Sequence, residues 1–165
     1  MLRPIVKADL PQLLCIEQAA HAVPWTDETF KTCFEAGHIG WVIELNRDDQ
    51  NKGRRIVGFT LVSVRMEECH ILNLCVAREH QHQGYGRQLL EHAMRSAKDL
   101  GASVVYLEVR RTNTRAIELY KNAQFILIGE RKDYYPTVSG NEDALVFARS
   151  LAVSLTAPSK KHGSG

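Results

Sequence analysis

Residues 71–87, ILNLCVAREHQHQGYGR, constrain the fold most, because an apolar run is followed by a polar loop and a helix opened by glycines. The run at 71–76 is predicted to be an interior strand buried on both faces, since its residues are apolar with β-branched ends. From Arg87 onward apolar residues recur at helical spacing, and Gly101 supplies the C-terminal stop. A strand, a glycine loop and a helix in this order bring backbone N–H groups to the positive end of a helix.

Such an arrangement suits a pyrophosphate, and Gly84 and Gly86 permit it because they carry no Cβ to block the approach or to penalise positive φ. Arg87 is poorly placed for the helix dipole alone, so its charge makes more sense beside an anion. Two other phosphate motifs are excluded. The dinucleotide fingerprint needs a small residue where Leu89 stands, and the nucleotide P-loop needs Lys and then Ser or Thr after Gly58. A strand-to-helix turn without any ligand remains the alternative.

The rest of the chain has the pattern of a mixed α/β sheet. Three antiparallel strands come first, and then strand, helix, strand and helix alternate, so a parallel crossover is expected around the third helix. Strand-like runs are predicted at residues 2–6, 41–45, 56–64, 71–76, 103–109, 125–129 and 144–151. Helices are predicted from about residue 8 to 20, after an N-cap at Thr26, from residue 87 to 100 and after an N-cap at Asn113. Residues 46–53 form a polar hairpin loop, and residues 134–136 with a turn at 139–141 join the last two strands.

Composition limits the classes of protein that remain. A chain of 165 residues with 44% hydrophobic residues suits one globular domain, which we assign to residues 1–152, followed by a disordered tail at 153–165. The net charge of +2 is spread along the chain, so no direct nucleic-acid binding is expected. The four cysteines have no C-x-x-C spacing, and neither a signal segment nor a membrane-spanning run is visible. We therefore expect buried free thiols, no metal, no membrane association and a cytoplasmic protein.

Two side chains are candidates for proton transfer. Glu108 stands in an otherwise apolar strand, where an unpaired carboxylate would be costly. It is either an ion-pair partner of Arg110 or Arg111, or a general base at the carboxyl end of a strand, where open α/β sheets place ligands. Tyr120 is either core packing or a proton donor to a departing thiolate, because a phenol with pKa near 10 suits that task.

The Q-x-x-G-x-G loop at 81–86 resembles the acetyl-coenzyme A pyrophosphate loop of the GNAT acetyltransferase superfamily. Residues 107–125, LEVRRTNTRAIELYKNAQF, resemble the LEVRxxNxxAxxLYxxxGF segment of its bacterial RimI family, the ribosomal-protein-alanine N-acetyltransferases. The flanks are similar to the same family at its IEQxAHxxPW, NIAV, YYPT and EDA segments, so that the resemblance spans roughly residues 2–152.

The resemblance implies a GNAT fold, with a mixed, mostly antiparallel central sheet of about seven strands and four helices. It implies acetyl transfer from acetyl-CoA to the N-terminal alanine of a small-subunit ribosomal protein, by direct attack in a ternary complex. Glu108 matches the family's base, acting through water, and Tyr120 its acid. The residues matching its coenzyme contacts are Leu74, Cys75, Val76, His82, Gln83, Gly84, Tyr85, Gly86, Arg87 and Asn113. The loops at Pro24, Trp25 and at Tyr134, Tyr135 match the entrance for the peptide substrate, and we expect a monomer.

One departure and several alternatives remain. Gln124 stands where the family has the glycine that ends the Tyr120 helix, so another residue, with Asn122 as the candidate, is predicted to take the left-handed conformation. Reference pKa values near 7.7 and 10.4 favour an α-amine over a lysine acceptor, and lysine or small-amine acetylation is the runner-up. A silent acyl-coenzyme A-binding module and a ribosome-associated protein without a ligand are the alternatives outside catalysis.

Overall fold

The computed structural model describes residues 1–47 and 53–152, in which seven strands form one sheet flanked by four helices. The strands are β1 (Leu2–Pro4), β2 (Ile39–Asn46), β3 (Arg54–Arg65), β4 (Glu68–Val76), β5 (Val104–Arg110), β6 (Ile126–Thr137) and β7 (Gly140–Ser150). The helices are α1 (Leu10–Ala20), α2 (Asp27–Glu35), α3 (Tyr85–Asp99) and α4 (Thr114–Asn122). The spatial order is β1-β2-β3-β4-β5-β7-β6. The predicted mixed, mostly antiparallel sheet is therefore confirmed, whereas the predicted tail and most of the 46–53 loop lie outside the described residues.

The helices cover the sheet on both faces and create two apolar cores. One core joins α3 and α4 to the sheet, with Leu89, Leu90, Leu107 and Phe147 almost fully buried. The other lies under α1 and α2, and its largest buried side chains include Leu13, Phe30 and Phe59. Burying side chains of this size stabilises the fold by about 1.5–3 kcal/mol each. Within the described ranges, no helix is long and apolar enough to cross a membrane.

Local sequence signals set several helix ends as predicted. The Thr26 side chain accepts a hydrogen bond from the Thr29 N–H at 3.2 Å, and Asn113 accepts one from the Ala116 N–H at 3.2 Å. Each cap satisfies one of the amide groups that the first turn of a helix leaves without a partner. The helix caps therefore fix where α2 and α4 begin, and α4 carries Tyr120.

Strands β4 and β5 are the parallel pair of the sheet, and they separate before they end. Their pairing runs from Glu68 opposite Val104 to Ile71 opposite Leu107, although β4 continues to Val76. The register between β3 and β4 also skips one residue, because Leu61 pairs with Asn73 and Val62 with Ile71. A bulge of this kind bends its strand. The two strands therefore leave a gap between their carboxyl ends.

Three predictions about these elements were wrong in detail. Residues 72–74 of β4 are only partly buried, because the separation from β5 leaves that end of the strand open. Tyr134 and Tyr135 lie within β6, which forms a long hairpin with β7, and not in a loop. Edge strands such as β6 are exposed, so no apolar run marked its length. Gln124 itself adopts the left-handed conformation, with φ of 69°, so Asn122 does not take that role.

Candidate active site

A cavity of about 1190 Å³ opens where β4 and β5 separate. Leu74, Cys75 and Val76 of β4 form one wall, and Arg110 with the start of α4 forms the opposite wall. The glycine loop closes one end, and residues 20–23 together with residues 136–139 of the β6–β7 hairpin line the rest. The carboxyl ends of parallel strands are where open α/β sheets bind ligands.

Backbone amides of the glycine loop point to an anion at one end of this cavity. Gly84 has φ of 86° and is the N-cap of α3, and the first α-helical bond of α3 runs from the Gln88 N–H to the Gly84 carbonyl. The N–H groups of residues 85–87 therefore precede any helical acceptor, and they lie at the positive end of the helix dipole. The Gln81 side chain secures the loop, because its amide donates to the Val76 carbonyl at 3.1 Å.

Basic side chains outnumber carboxylates among the residues that line the cavity. Arg78, Arg87, Arg110 and Arg115 line the cavity, against two carboxylates, Glu118 and Glu142. Arg110 pairs with Glu142 and Arg87 with Glu91, and four arginines against two carboxylates leave the lining with an excess of positive charge. A ligand that carries several phosphates would be attracted to such a surface. Sequence reasoning missed Arg78 and Arg115, since an arginine in a loop or on a helix gives no signal of the cavity that it faces.

We expect Gly84→Ala to weaken coenzyme A binding and to destabilise the fold by about 1–2 kcal/mol, because an alanine at φ of 86° is strained. Gly101 is the matched control, since its φ is 98° and an added Cβ would also meet nothing within 4 Å, but it lies at the far end of α3. Gly101→Ala should therefore lower the melting temperature to a similar extent and leave the coenzyme A dissociation constant unchanged. Equal binding losses in the two variants, measured by calorimetry, would contradict an anion site at Gly84.

Tyr120 lies on α4 with its ring packed edge-to-face on Phe125 at 5.8 Å, and it also lines the cavity. Only 6% of the residue is exposed. Burial, with smaller contributions from Tyr135 and Cys75, raises the pKa of the phenol well above its ordinary value. Tyr120 is therefore a core residue, as the first alternative held, that also lines the cavity, and its role as a proton donor stays a prediction.

Cys75 is a buried thiol on β4 at the same wall of the cavity. Burial and the nearby carboxylate of Glu17 raise its pKa far above the ordinary value. The thiolate is the nucleophilic form of cysteine, so this thiol is held in its unreactive form at neutral pH. The four cysteines are all free, as predicted, but the prediction that they are buried holds only for Cys69 and Cys75, because Cys33 is half-buried and Cys15 is exposed on α1.

Glu108 lies on the face of β5 that points away from α3 and α4, and it does not line the cavity, although Arg110 two residues further along β5 does. Its carboxylate accepts a hydrogen bond from His70 Nε2 at 2.5 Å, and Arg131 Nε is 3.5 Å from its other oxygen. The alternative in which Glu108 pairs with Arg110 or Arg111 is wrong, because those guanidinium groups pair with Glu142, Glu130 and Asp143. The bond from His70 holds the pKa of the Glu108 carboxyl below its ordinary value.

Tyr135 interacts electrostatically both with Glu108 and with Tyr120, which lines the cavity. Burial and the charge of Glu108 raise the pKa of the Tyr135 phenol, and Tyr135 in turn raises that of Tyr120. The Arg110 guanidinium lies over the Tyr135 ring at 4.6 Å. These charged and phenolic groups therefore form one connected set at the open end of the sheet.

The other predicted residues divide into two groups. Leu74, Cys75, Val76, His82, Gly84, Tyr85, Gly86, Arg87 and Asn113 line the cavity. Gln83, Pro24, Trp25, Tyr134 and Tyr135 do not line it. Gln83 instead donates to the Glu79 carbonyl at 3.4 Å, and Trp25 packs on Phe30.

A further group was missed by the sequence analysis. Ligand-type atoms of Glu17, His21 and Cys75 all lie within 4.8 Å of one another at the wall of the cavity. The first two are four residues apart on α1 and its end, which is the spacing of one helix face, but the contact with Cys75 depends on tertiary packing.

A glycine loop at the N-terminus of a helix, beside two separating parallel strands on a sheet of this order, agrees with the GNAT acetyltransferase fold that the sequence resemblance implies. The model of the acetyltransferase (GNAT) family matches residues 10–125. The chain is 34% identical to the [ribosomal protein bS18]-alanine N-acetyltransferase of Escherichia coli K12 over 145 residues, which cover 88% of the chain and 93% of that relative. It is 35% identical to the enzyme of the same name from Haemophilus ducreyi over 152 residues, covering 92% of the chain and 100% of the relative.

Solved structures agree with this similarity. The crystal structure of the Escherichia coli ribosomal-protein-S18-alanine N-acetyltransferase matches with a TM-score of 0.81 and 31% identity, covering 97% of the chain and 99% of that protein. Arabidopsis thaliana NAA60 in complex with acetyl-CoA matches in fold, with a TM-score of 0.82, 20% identity and coverage of 92% and 98%. The chain therefore belongs to the GNAT acetyltransferases and, within them, to the RimI family of ribosomal-protein-alanine N-acetyltransferases.

Proposed function

We propose that this chain transfers the acetyl group of acetyl-CoA to the N-terminal α-amine of ribosomal protein bS18. The acceptor is inferred from relatives that are named as [ribosomal protein bS18]-alanine N-acetyltransferases and are 34% and 35% identical over almost their whole length. The cavity favours acetyl-CoA as the donor, because an anion site at Gly84 adjoins an apolar wall formed by Leu74 and Val76. A pyrophosphate and a pantetheine arm need those two environments in that order.

Direct attack by the amine is the mechanism that the site chemistry favours. The amine nitrogen forms a bond to the acetyl carbon, the carbon–sulfur bond breaks, and coenzyme A leaves as a thiolate that takes a proton. Tyr120 can supply that proton, since its phenol is protonated at neutral pH and borders the cavity. Transfer through Cys75 is disfavoured because its thiol is held protonated.

The proton lost by the amine goes to Glu108 through an intervening water. The low pKa of this carboxyl keeps it ionised at neutral pH, so that it can accept a proton. Because Glu108 is not among the residues that line the cavity, a water molecule has to carry the proton from the amine to its carboxylate. Pro24 and Trp25, with Tyr134 and Tyr135 on the hairpin, then hold the peptide at the entrance.

An α-amine is also the acceptor that a weakly basic carboxylate can serve. At pH 7, on the order of a tenth of N-terminal amines are neutral, against less than about one in a thousand lysine side chains. A lysine acceptor would need a stronger base than Glu108, whose pKa lies below that of an ordinary glutamate.

A peptide assay tests the acceptor directly. We expect thiol release when acetyl-CoA is mixed with a peptide copying the N-terminus of bS18, and none when the same peptide carries a blocked α-amine and a free lysine. Turnover of the blocked peptide would favour the lysine acetyltransferase instead. A rise in melting temperature with coenzyme A, without turnover of either peptide, would favour a silent binding module.

A further inference from the structure

Glu17 is the most buried carboxylate of the described chain, with 2% of the residue exposed, and it lies on α1 beside the cavity. Ionised carboxylates are rarely buried unless hydrogen bonds satisfy them. Its two oxygens are both used: Oε1 accepts from the Trp25 backbone N–H at 3.2 Å, and Oε2 accepts from the Asn73 side-chain amide at 3.0 Å. Glu17 therefore joins Trp25 and Asn73, which are 48 residues apart in sequence.

One end of this connection is the segment between α1 and α2, of which residues 20–23 line the cavity. Trp25 closes that segment, and its ring packs edge-to-face on Phe30 at 5.2 Å. The Glu17 carboxylate fixes the Trp25 backbone at the same point, while His21 Nε2 lies 3.8 Å from Oε2. The conformation of this cavity wall therefore depends on Glu17.

The other end is the bulge of β4, at the point where β4 leaves β5. Asn73 follows Leu72, the residue that the β3–β4 register skips, and its carbonyl accepts from the buried Thr60 hydroxyl at 2.9 Å. The next residues, Leu74 to Val76, form the cavity wall on the proposed acetyl-CoA side. A carboxylate that holds both Asn73 and Trp25 sets the distance between the two walls.

We infer that Glu17 is a positioning residue that holds the acceptor-binding segment in register with the acetyl-CoA strand. Only the kinetic part of this inference, the effect of Glu17 on acetylation of the peptide amine, rests on the proposed function. Glu17 does not touch the reacting atoms, because both of its oxygens face the protein. Its loss should let the 21–25 segment move away from β4, so that the amine spends less time within reach of the thioester.

Two substitutions of similar size separate the hydrogen bonds from the charge. Glu17→Gln keeps an oxygen for the Trp25 N–H, and the Asn73 amide can turn over to accept from the new amide group. Glu17→Leu removes both bonds. We expect Glu17→Leu to lower kcat/KM for the peptide about tenfold, since loss of hydrogen bonds to a charged group has effects of this size. Glu17→Gln should stay within about twofold of the wild type, and acetyl-CoA affinity should change little in both.

A readout without substrate separates this inference from the proposed function. The chain has two tryptophans, so Trp25 is the single one in a Trp41→Phe background. There, acrylamide should quench Trp25 fluorescence more strongly in Glu17→Leu than in Glu17→Gln or with Glu17 intact. Should Glu17→Leu not fold, Asn73→Ala removes the β4 end of the connection and should lower peptide kcat/KM without changing Trp25 quenching as much.

Unchanged Trp25 quenching and unchanged peptide kinetics in Glu17→Leu would overturn the inference. Equal damage in Glu17→Gln and Glu17→Leu would also overturn it, because the charge rather than the hydrogen bonds would then matter. If the wild type acetylated no α-amine but quenching still followed this order, the proposed function would fail while the connection between the two segments would stand.

Discussion

Tyr120→Phe should reduce kcat by about 100- to 1000-fold, which is the usual contribution of a positioned proton donor. The change removes one hydroxyl group and keeps the aromatic ring that packs against Phe125, so the fold should survive. Because Tyr120 is almost fully buried, no other group can easily replace its hydroxyl at the cavity. A loss of this size corresponds to about 2.7–4 kcal/mol of transition-state stabilisation.

The measurement is a steady-state assay with the bS18 peptide, together with calorimetric titration of coenzyme A. The coenzyme A dissociation constant should stay within about twofold of the wild type, because the phenol acts on the leaving sulfur during transfer and not on the bound ground state. Tyr106→Phe is the matched control, since Tyr106 lies on β5 and does not line the cavity. A Tyr120→Phe variant with wild-type kcat would remove the proposed acid from the mechanism.

The elements that carry the site could be predicted from sequence because their signals are local. The caps at Thr26 and Asn113 and the glycine at 84 depend on neighbours within a few residues, and all three positions have the expected local structure. Gly86 differs, because it lies in the first turn of α3 without a positive φ. The apolar runs of β3, β4 and β5 were also visible, since interior strands are covered by helices on both faces. Local signals therefore placed the glycine loop and the helix that carries Tyr120.

The partners of the buried charges could not be predicted, because they are joined by packing. Glu108 pairs with His70 and Arg131, which are 38 and 23 residues away in sequence, rather than with the arginines that follow it. Glu17 likewise contacts Asn73 across the sheet. The extent of β6 was missed for another reason: an exposed edge strand has no apolar face to reveal it. Tertiary packing thus determines the partners of a charged residue, and neighbours in sequence do not reveal them.

At the C-terminal end of α4, Gln124 adopts a backbone conformation that residues other than glycine rarely adopt. A glycine would take a left-handed conformation at position 124 without strain, and Gln124 takes it with φ of 69°. The chain is held there because the Phe125 N–H donates to the Tyr120 carbonyl at 3.0 Å and the Phe125 ring packs on Tyr120. The same contacts that fix the helix end therefore fix the proposed acid.

Glu108→Gln should lower kcat about 100-fold, because the amide cannot accept the proton that the α-amine loses. The pH dependence of kcat/KM should not report the titration of Glu108. The pKa of Glu108 lies below its ordinary value, so the carboxylate is ionised throughout pH 6–9 and its titration is not visible there. The rise of kcat/KM with pH should therefore follow the acceptor amine, with a midpoint near about 7.7, in both wild type and variant.

The free energy of unfolding of Glu108→Gln shows whether the carboxylate also stabilises the fold. A carboxyl group whose pKa is lowered on folding stabilises the folded state above its unfolded pKa, and that contribution is lost as the pH falls through the folded pKa. Glu108→Gln should therefore lower the free energy of unfolding at pH 7, and the difference from wild type should shrink when urea unfolding is repeated below pH 4.5, the ordinary value for this group.

Glu44→Gln is the control that separates the loss of stability from the loss of kcat expected in Glu108→Gln. Glu44 is also a buried carboxylate whose pKa is lowered, in its case by Arg3 and Arg54, but it lies on β2 away from the cavity. It should show the same loss of stability and the same pH trend with a wild-type kcat. If Glu108→Gln reproduced that pattern, with stability lost and kcat retained, then the carboxylate would be an ion-pair partner of His70 and Arg131, and the base would have to be sought among the groups that line the cavity.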